Sequence, residues 1–166
     1  MPQALFKDLP PRKAMKTIIT YGTFDMFHIG HLKLLQRLAN LGDKLIVAVS
    51  SDEFNQLKNK TVLIPYEQRA EIVANIKCVD MVIPEHNWEQ KVEDVKKYDV
   101  DVFAIGDDWE GKFDFLKEHC EVVYLERTKD ISTTQLKKSL TNFLSIPKED
   151  ILNAFKVIET LKKDFE

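Results

Sequence analysis

Two histidines, His28 and His31, stand three residues apart in segment 22–31, which reads GTFDMFHIGH. The segment follows a short β-branched run, residues 16–22, that predicts a buried strand, and it leads into leucines at helical spacing. Such a loop brings ring N–H groups to the N-terminus of a helix, where backbone amides and the helix dipole favour phosphate. The pattern therefore indicates a phosphate-binding loop, in which Gly30 allows a phosphate to approach the backbone closely.

Two other interpretations of this histidine pair stay open on spacing alone. The two side chains could cap the helix or pack in the core, or they could be two ligands of a zinc ion. Zinc requires further protein ligands, and no cysteine or clear group of carboxylates stands near them in the sequence. The loop contains neither the GxGxxG dinucleotide pattern nor the Walker lysine motif.

A second segment with anion-binding chemistry, residues 127–134, reads RTKDISTT. It leads from a predicted strand into a predicted helix, and it supplies an arginine and several hydroxyl groups at the helix start. Ser132 or Thr133 is also the expected N-cap of that helix, and capping alone would explain the hydroxyl groups. The segment is thus a second candidate anion site with a simpler structural alternative.

Strands and helices alternate along the chain. Strands are predicted at residues 16–22, 44–50, 79–85, 100–108 and 121–127. Helices are predicted from about Gly30 to a C-cap at Gly42, from Pro65, around 88–98, 112–119 and 132–144, and from Pro147, with a short helix possible in 51–64. The alternation predicts an α/β, Rossmann-like, doubly wound parallel five-stranded sheet with right-handed crossovers.

The site should lie where the strands of such a sheet end. Ligands of open parallel sheets bind beyond the carboxyl ends of the strands, near the point where strand order reverses. The candidate loops are therefore 22–31, 106–111 and 127–134. We expect a single α/β domain at residues 15–140, an N-terminal arm at 1–14 and a C-terminal helical extension at 141–166.

Composition narrows the class of protein. The 166 residues are 44% hydrophobic and 31% charged, with a formal net charge of −3, which argues against a nucleic-acid partner. Two cysteines do not make a disulfide framework, no apolar run reaches the ~20 residues of a membrane span, and the first residues lack a signal-like apolar segment. We expect a cytoplasmic protein without a membrane partner.

Both candidate segments resemble the signatures of one superfamily. GTFDMFHIGH resembles the HxGH signature of nucleotidyltransferases, and RTKDISTT resembles the RTxGISTT signature of cytidylyltransferases. The stretches VSSDEFNQLKNK, YEQRAEI, VDMVIPEHNWEQK and FAIGDDWEGKFDFLKEHCEVVYLERT are similar to bacterial glycerol-3-phosphate cytidylyltransferases in particular. The resemblance covers about residues 16–140.

The resemblance implies a reaction in which CTP and glycerol 3-phosphate give CDP-glycerol and pyrophosphate. The acceptor phosphate, with a second pKa of about 6, is already ionised near neutral pH and needs no general base. The protein must supply alignment and positive potential around the α-phosphorus. Mg²⁺ is expected to arrive with the triphosphate and to need no protein ligand. Family members are commonly homodimers.

The resemblance also implies roles for individual residues. The catalytic set is His28, His31, Lys60 and Arg127, and the acceptor phosphate goes to Lys58 and Lys91. The nucleotide is expected to meet Thr23, Phe24, His28, Ile29, Gly30, His31, Lys60, Asp108, Arg127, Thr128, Ile131, Ser132, Thr133 and Thr134. On spacing alone each lysine would be a solvated charge.

Three further side chains have both a functional and a structural interpretation. Arg69 matches a family arginine that supports the site or a subunit contact, although its spacing alone predicts an exposed helix charge. Trp88 and Trp109 have rings that could stack on a base, but each is more simply a packing residue.

Two positions depart from the family pattern. Asp130 replaces the glycine of RTxGISTT, and its charge near a triphosphate predicts weaker CTP binding than glycine would allow. Lys77 stands where an arginine is expected, which keeps the charge but loses bidentate recognition. The acceptor is therefore less firmly assigned than the nucleotide.

Three alternative functions remain open. They are cytidylyl transfer to another phosphorylated alcohol (phosphoethanolamine, phosphocholine or a pentitol phosphate), adenylyl transfer, and a catalytically silent nucleotide-binding module. Choline would favour a cage of aromatic rings, and the sequence alone does not assemble one.

Overall fold

The computed structural model describes residues 15–129 and 132–163. The chain forms two compact units, one ending at Lys129 and one following it. The first unit holds the whole sheet, and the second holds the last two helices. The domain boundaries expected at residues 14/15 and 140/141 stay predictions.

The sheet has five strands, all parallel, in the order β3-β2-β1-β4-β5. This confirms the predicted α/β, Rossmann-like architecture. The strands are β1 (Thr17–Gly22), β2 (Lys44–Ser50), β3 (Met81–Glu85), β4 (Val102–Gly106) and β5 (Glu121–Leu125).

Helices connect the strands of the first unit. They are α1 (Ile29–Ala39), α2 (Asp52–Leu57), α3 (Tyr66–Ala74) and α4 (Gln90–Lys97), with 3₁₀ turns at Asp107–Trp109 and Asp114–Glu118. The short helix α2 takes up part of the polar segment after β2, where the sequence left a loop or a short helix open. Pro65 precedes α3 as its N-cap, which suits a residue without a backbone N–H.

The core fills both faces of the sheet because neighbouring residues of a strand point to opposite sides. In β1, Ile18 packs with Leu35 and Leu38 of α1 on one face, and Ile19 packs with Phe103 on the other. All five side chains are fully buried. The near-continuous apolar strands are thus explained by a sheet that is covered on both sides.

One local prediction in the first unit is wrong. Helix α1 ends with Asn40 as its C-cap, not at Gly42. Gly42 is instead needed for close packing, since a Cβ there would lie 2.0 Å from Ile18 Cδ1 and 2.7 Å from the Lys16 carbonyl oxygen. Pro84 lies inside β3, which the edge position of that strand allows.

The second unit consists of α5 (Thr133–Leu144) and α6 (Lys148–Lys163). Ser132 Oγ accepts the Gln135 N–H at 3.1 Å, which confirms Ser132 as the N-cap residue. Four apolar residues of α6, at helical spacing, are all exposed in the structure: Ile151, Phe155, Ile158 and Leu161.

Candidate active site

A cavity of about 60 Å³ lies beyond the carboxyl ends of the first four strands. Strand order reverses between β1 and β4, so the cavity occupies the position at which open parallel sheets bind ligands. Its lining is rich in cations and aromatic rings: Tyr21, Gly22, Thr23, Ser50, Lys58, Lys60, Glu85, Trp88, Lys91, Ile105, Trp109 and Phe113. Of the predicted site residues, Thr23, Lys58, Lys60 and Lys91 are in this lining.

The two histidines of the first loop form a stacked pair at the start of α1. Their ring centroids are 3.9 Å apart with an interplanar angle of 26°. His28 Nδ1 accepts the Gly30 N–H at 3.0 Å, and His31 Nδ1 accepts the His28 N–H at 3.2 Å. The pair thus forms a reciprocal cap of the helix. Because each Nδ1 is an acceptor, the proton of each neutral ring lies on Nε2, which is therefore a donor.

The electrostatic setting keeps both imidazoles neutral at pH 7. Burial, and then the nearby His28, lowers the pKa of His31 to about 4, while Asp25 acts in the opposite direction. Burial and the charge of Arg127 also lower the pKa of His28. The rings can therefore donate hydrogen bonds without carrying charge, and the cation beside them is Arg127.

A buried carboxylate fixes the first loop to the segment before α3. Asp25 is 2% exposed and accepts backbone N–H groups from Met26, Leu63 and Ile64 at 3.1, 2.9 and 3.0 Å. Phe24, next to it, has φ of 54°, in the left-handed region that non-glycine residues rarely adopt. The ring of Phe24 folds back over Gly22, where a Cβ would lie 2.8 Å from it.

Arg69 ties three parts of the site together. Its guanidinium donates to the carbonyl oxygens of Thr23 at 2.6 Å and Ile64 at 2.7 Å, and it pairs with Asp52 at 2.6 Å. The residue is 1% exposed, so the prediction from spacing alone, that Arg69 is an exposed helix charge, is wrong. Arg69 positions the backbone of the first loop, as the resemblance implied.

Lys58 and Lys91 form a buried network with a residue that the sequence did not single out. Lys91 Nζ lies 2.7 Å from Glu85 Oε1, and Lys58 Nζ lies 3.6 Å from Glu85 Oε2. Ser50 Oγ donates to Glu85 and accepts from Lys58 Nζ at 2.8 Å. Burial lowers the pKa of Lys58 to about 8, against the attraction of Glu85 and with the repulsion of Lys60. These lysines are not the solvated charges that spacing alone predicts.

Lys60 lines the cavity, whereas Asp108 is not in its lining and lies in the turn that follows β4. Lys60 Nζ lies 5.8 Å from the centroid of the Trp109 ring. Asp108 is exposed in the 3₁₀ turn after β4, and its Oδ1 would be 2.6 Å from a Cβ on Gly106. Glycine at 106 therefore leaves room for this carboxylate to fold back over the strand end.

The second signature is divided between the two units. In the first unit Arg127 is exposed and Thr128 is half-buried just after β5. Ser132, Thr133 and Thr134 belong to the second unit, at the cap and first turn of α5. Ile131 and Asp130 lie outside the described residues. Lys77 is exposed and is not part of the cavity lining.

The remaining nucleotide candidates surround the histidine pair. Phe24 is buried, with its ring centroid 5.5 Å from that of His31. Gly30 is buried in the first turn of α1, and Ile29 beside it is 52% exposed. The Thr23 hydroxyl donates to Asn55 Oδ1 at 2.9 Å, which fixes its side chain at the cavity wall.

Sequence reasoning missed Ser50, Asn55 and Glu85. Ser50 and Glu85 are the last residues of β2 and β3, and a polar residue that ends an apolar parallel strand is the signal that would have found them. Asn55 carries no such signal. It is fully buried in α2, where its amide donates to the carbonyl oxygens of Ser50 and Ser51.

The donors around the histidine pair suit phosphate and not a metal ion. They are ring N–H groups and the Arg127 guanidinium, whereas Mg²⁺ prefers oxygen ligands. Within residues 15–129 and 132–163, no group of three or more histidines, cysteines or carboxylates is placed to hold a metal ion. In the same part of the chain, no helix is long and apolar enough to cross a membrane.

Comparison with known proteins identifies the family. The cytidylyltransferase-like family model matches residues 19–139. The chain belongs to the cytidylyltransferase-like family. The family expected from the two signatures is thereby confirmed.

Three curated members of this family are similar to the chain over nearly their whole length. Each is named glycerol-3-phosphate cytidylyltransferase. The protein of Bacillus spizizenii is 61% identical and aligns over 77% of this chain and 99% of its own length. Those of Bacillus subtilis and Staphylococcus aureus are 59% and 58% identical, each over 76% of this chain and over 98% and 96% of their own lengths.

More distant similarities include a protein with another name. An FAD synthase of Pyrococcus abyssi is 31% identical over 89% of this chain and 93% of its own length. Among solved structures, the lipopolysaccharide core biosynthesis protein of Thermoplasma volcanium has a TM-score of 0.60 at 23% identity, covering 69% of this chain and 99% of that chain. That structural match supports the fold alone.

Proposed function

We propose that this cytidylyltransferase-family protein transfers CMP from CTP to glycerol 3-phosphate, giving CDP-glycerol and pyrophosphate. The observation that carries the proposal is the 58–61% identity to three proteins named for that reaction, over 96–99% of their lengths. The cavity adds physical support, because a phosphomonoester acceptor and a triphosphate are both anions and Lys58, Lys60 and Lys91 line it.

The chemistry is a direct displacement at phosphorus. An oxygen of the acceptor phosphate forms a bond to the α-phosphorus of CTP, and the bond from that phosphorus to the bridging oxygen breaks. Pyrophosphate leaves with the electron pair of the broken bond. No enzyme nucleophile and no proton removal are needed, so catalysis depends on positioning and on stabilising the charge that develops.

The site residues divide this work. His28 and His31 donate from Nε2 to oxygens of the α-phosphate and the departing pyrophosphate, while Arg127 and Lys60 supply positive charge. Because both imidazoles are neutral, they act as fixed hydrogen-bond donors. Lys58 and Lys91, which line the cavity, receive the acceptor phosphate.

The remaining nucleotide contacts follow the two signatures. Thr23 and Phe24 present their backbone to the nucleotide, and Asp108, in the turn after β4, contacts it as the family resemblance implies. We propose that residues 128 and 131–134 complete the triphosphate site, in the manner that the family signature implies.

In this proposal, Mg²⁺ enters the site bound to the triphosphate of CTP. The described donors do not fit a metal ion held by the protein, so the phosphates and water would supply its ligands.

We further propose that the protein is a cytoplasmic homodimer whose product feeds the synthesis of teichoic-acid-like or capsular polymers. Light scattering at several concentrations tests the dimer.

The decisive experiment is pyrophosphate release with Mg²⁺ over a grid of substrates. The nucleotides are CTP and ATP, and the acceptors are glycerol 3-phosphate, a pentitol phosphate, phosphocholine, phosphoethanolamine and FMN. Turnover should be highest with CTP and glycerol 3-phosphate, with CDP-glycerol identified by mass. Turnover confined to another pair would replace the proposed reaction, and CTP binding without turnover with any acceptor would indicate a silent module.

A further inference from the structure

Three aromatic rings in the cavity enclose one ammonium group of the chain itself. Lys91 Nζ lies 4.4 Å from the ring centroid of Tyr21, 4.9 Å from that of Trp88 and 5.5 Å from that of Phe113. We call these three rings the aromatic cage. All three distances lie within the ~6 Å range of cation–π attraction. Such a cage is the type of site that recognises organic cations, but here a lysine occupies it.

The lysine is held firmly in that position. Its ammonium group pairs with Glu85 Oε1 at 2.7 Å, and the two side chains are 1% and 3% exposed. The Tyr21 hydroxyl donates to Asp94 at 2.8 Å, which fixes one wall of the cage. A buried charge pair resists separation, because either partner left alone would be an uncompensated charge. An acceptor therefore cannot easily displace Lys91 from the cage.

The surroundings of the cage are positively charged as well. Lys58 Nζ lies 4.3 Å from the Phe54 ring centroid and 5.7 Å from that of Trp88, so Trp88 faces two ammonium groups. With Lys60, the cavity lining carries three formal positive charges and the single negative charge of Glu85. This balance attracts a phosphate dianion and disfavours a second cationic group in the acceptor.

We propose that Lys91, fixed in the aromatic cage by Glu85, determines acceptor specificity: it occupies the place of an organic cation, so the site accepts uncharged polyol phosphates and rejects phosphocholine and phosphoethanolamine. The inference rests on the proposed function, since it names the class of acceptor used at the same site. It assigns Lys91 a role in exclusion besides phosphate binding, and it makes Glu85 a positioning residue.

The test compares the wild type with Lys91→Met and with Lys97→Met as a matched control. Lys97 lies on the same helix and contacts one ring, that of Tyr98, but it is exposed and is not part of the cavity lining. Pyrophosphate release at saturating CTP gives kcat/KM for glycerol 3-phosphate and for phosphocholine. In the wild type and in Lys97→Met the ratio of the two should be at least about 1000, since the acceptor ammonium would meet like charges.

In Lys91→Met that ratio should fall by at least about 100-fold, because the uncharged side chain is one atom shorter, so the ammonium position among the rings is vacated and Glu85 remains as a counter-ion for a cation. A wild type that uses phosphocholine within about tenfold of glycerol 3-phosphate would overturn the inference. An unchanged ratio in folded Lys91→Met would overturn it as well.

A binding measurement tests the inference without an assay of turnover. Tetramethylammonium chloride, titrated by calorimetry, should give no binding to the wild type or Lys97→Met and measurable binding to Lys91→Met. If the single variant does not fold, the double variant Glu85→Gln/Lys91→Met removes both buried charges and should bind the same ion through the rings alone. No binding to a folded vacated cage contradicts the inference.

Failure of the proposed function and failure of the cage assignment give different experimental results. If the wild type does not use glycerol 3-phosphate but the vacated cage binds tetramethylammonium, the proposed function falls and the assignment of the cage stands. If glycerol 3-phosphate is used but neither the acceptor ratio nor tetramethylammonium binding changes in folded Lys91→Met, only the assignment of the cage falls.

Discussion

His31 Nδ1 accepts the backbone N–H of His28 at 3.2 Å, while His28 Nδ1 accepts the N–H of Gly30 at 3.0 Å. The Nδ1 atom of each imidazole thus serves in the cap of the helix, and the same hydrogen bonds fix the tautomer in which Nε2 is a donor. Capping and phosphate binding, which the sequence left as alternatives, are compatible in this geometry because they use different nitrogens of the same rings.

Asparagine and glutamine substitutions separate these two uses of the rings. His28→Asn or His31→Asn keeps an acceptor near the Nδ1 position and loses the Nε2 donor, so kcat should fall about 10²–10³-fold, as for loss of one preorganised donor. Glutamine places an N–H near Nε2 but loses the capping acceptor, so it should retain more activity than asparagine and less stability. Single-turnover rates and urea unfolding measure the two effects. Near-normal rates in both asparagine variants would exclude the role.

The sequence predicted the architecture because strand and helix periods alternate without ambiguity. It predicted the first loop from His28, Gly30 and His31, whose types and spacing are local. It could not predict that Arg69 and Lys91 are buried, because at those helix positions charge alone indicates solvent. Their burial depends on partners in other elements, Asp52 of α2 for Arg69 and Glu85 of β3 for Lys91, and helix spacing does not reveal those contacts.

The aromatic cage was beyond sequence reasoning for a related reason. Tyr21, Trp88 and Phe113 come from three separate segments, which only the strand order brings to one cavity. The sequence also placed Gly42 at a helix end, because glycine is common there. The structure uses its missing side chain for packing against Ile18, a need that local pattern does not reveal.

The low pKa of Lys58 predicts a fall in acceptor use at alkaline pH. Burial lowers this pKa to about 8, with Lys60 and Lys91 acting in the same direction and Glu85 opposing them. The ammonium is protonated below that value and is lost as pH rises through it, so kcat/KM for glycerol 3-phosphate should decline above about pH 8. Lys58→Arg keeps its charge and should lack this decline, while Lys97→Arg should retain it. An identical pH profile in Lys58→Arg would contradict the assignment.

Loss of the Arg69 guanidinium should destabilise the site and the fold together. Arg69→Met leaves the Thr23 and Ile64 carbonyl groups and the Asp52 carboxylate without their donor. The free energy of unfolding should fall by about 3–5 kcal/mol, since the two carbonyl groups lose their donor at about 1–3 kcal/mol each and the half-exposed Asp52 loses its charge partner. Arg37→Met is the control, since its guanidinium donates to the exposed Glu126 carbonyl at 2.6 Å and not to a buried group. Urea unfolding would refute the prediction if both variants lost the same small amount.

The depressed pKa of His31 predicts acid sensitivity of the folded state. The folded pKa is about 4, below the ordinary value of 6.5, so between these values the unfolded chain binds a proton that the folded chain does not. The free energy of unfolding should therefore be highest above pH 6.5 and decrease as pH falls toward 4. His31→Asn should flatten this decrease, and the exposed His86→Asn should not. Equal slopes in the two variants would show that His31 does not contribute.

Thr20, in the middle of β1, has a buried hydroxyl group whose removal should increase the stability of the fold. The residue is 1% exposed, and its Oγ1 has no hydrogen-bond partner in the described part of the chain. Valine has nearly the same shape without the polar group, so Thr20→Val should raise the free energy of unfolding by about 1 kcal/mol. The same change at Thr23 should lower it by about 1 kcal/mol, because the Thr23 hydroxyl donates to the buried Asn55 at 2.9 Å. Urea unfolding measures both variants. If the two substitutions changed the free energy of unfolding in the same direction, the presence or absence of a hydrogen-bond partner would not explain the difference between Thr20 and Thr23.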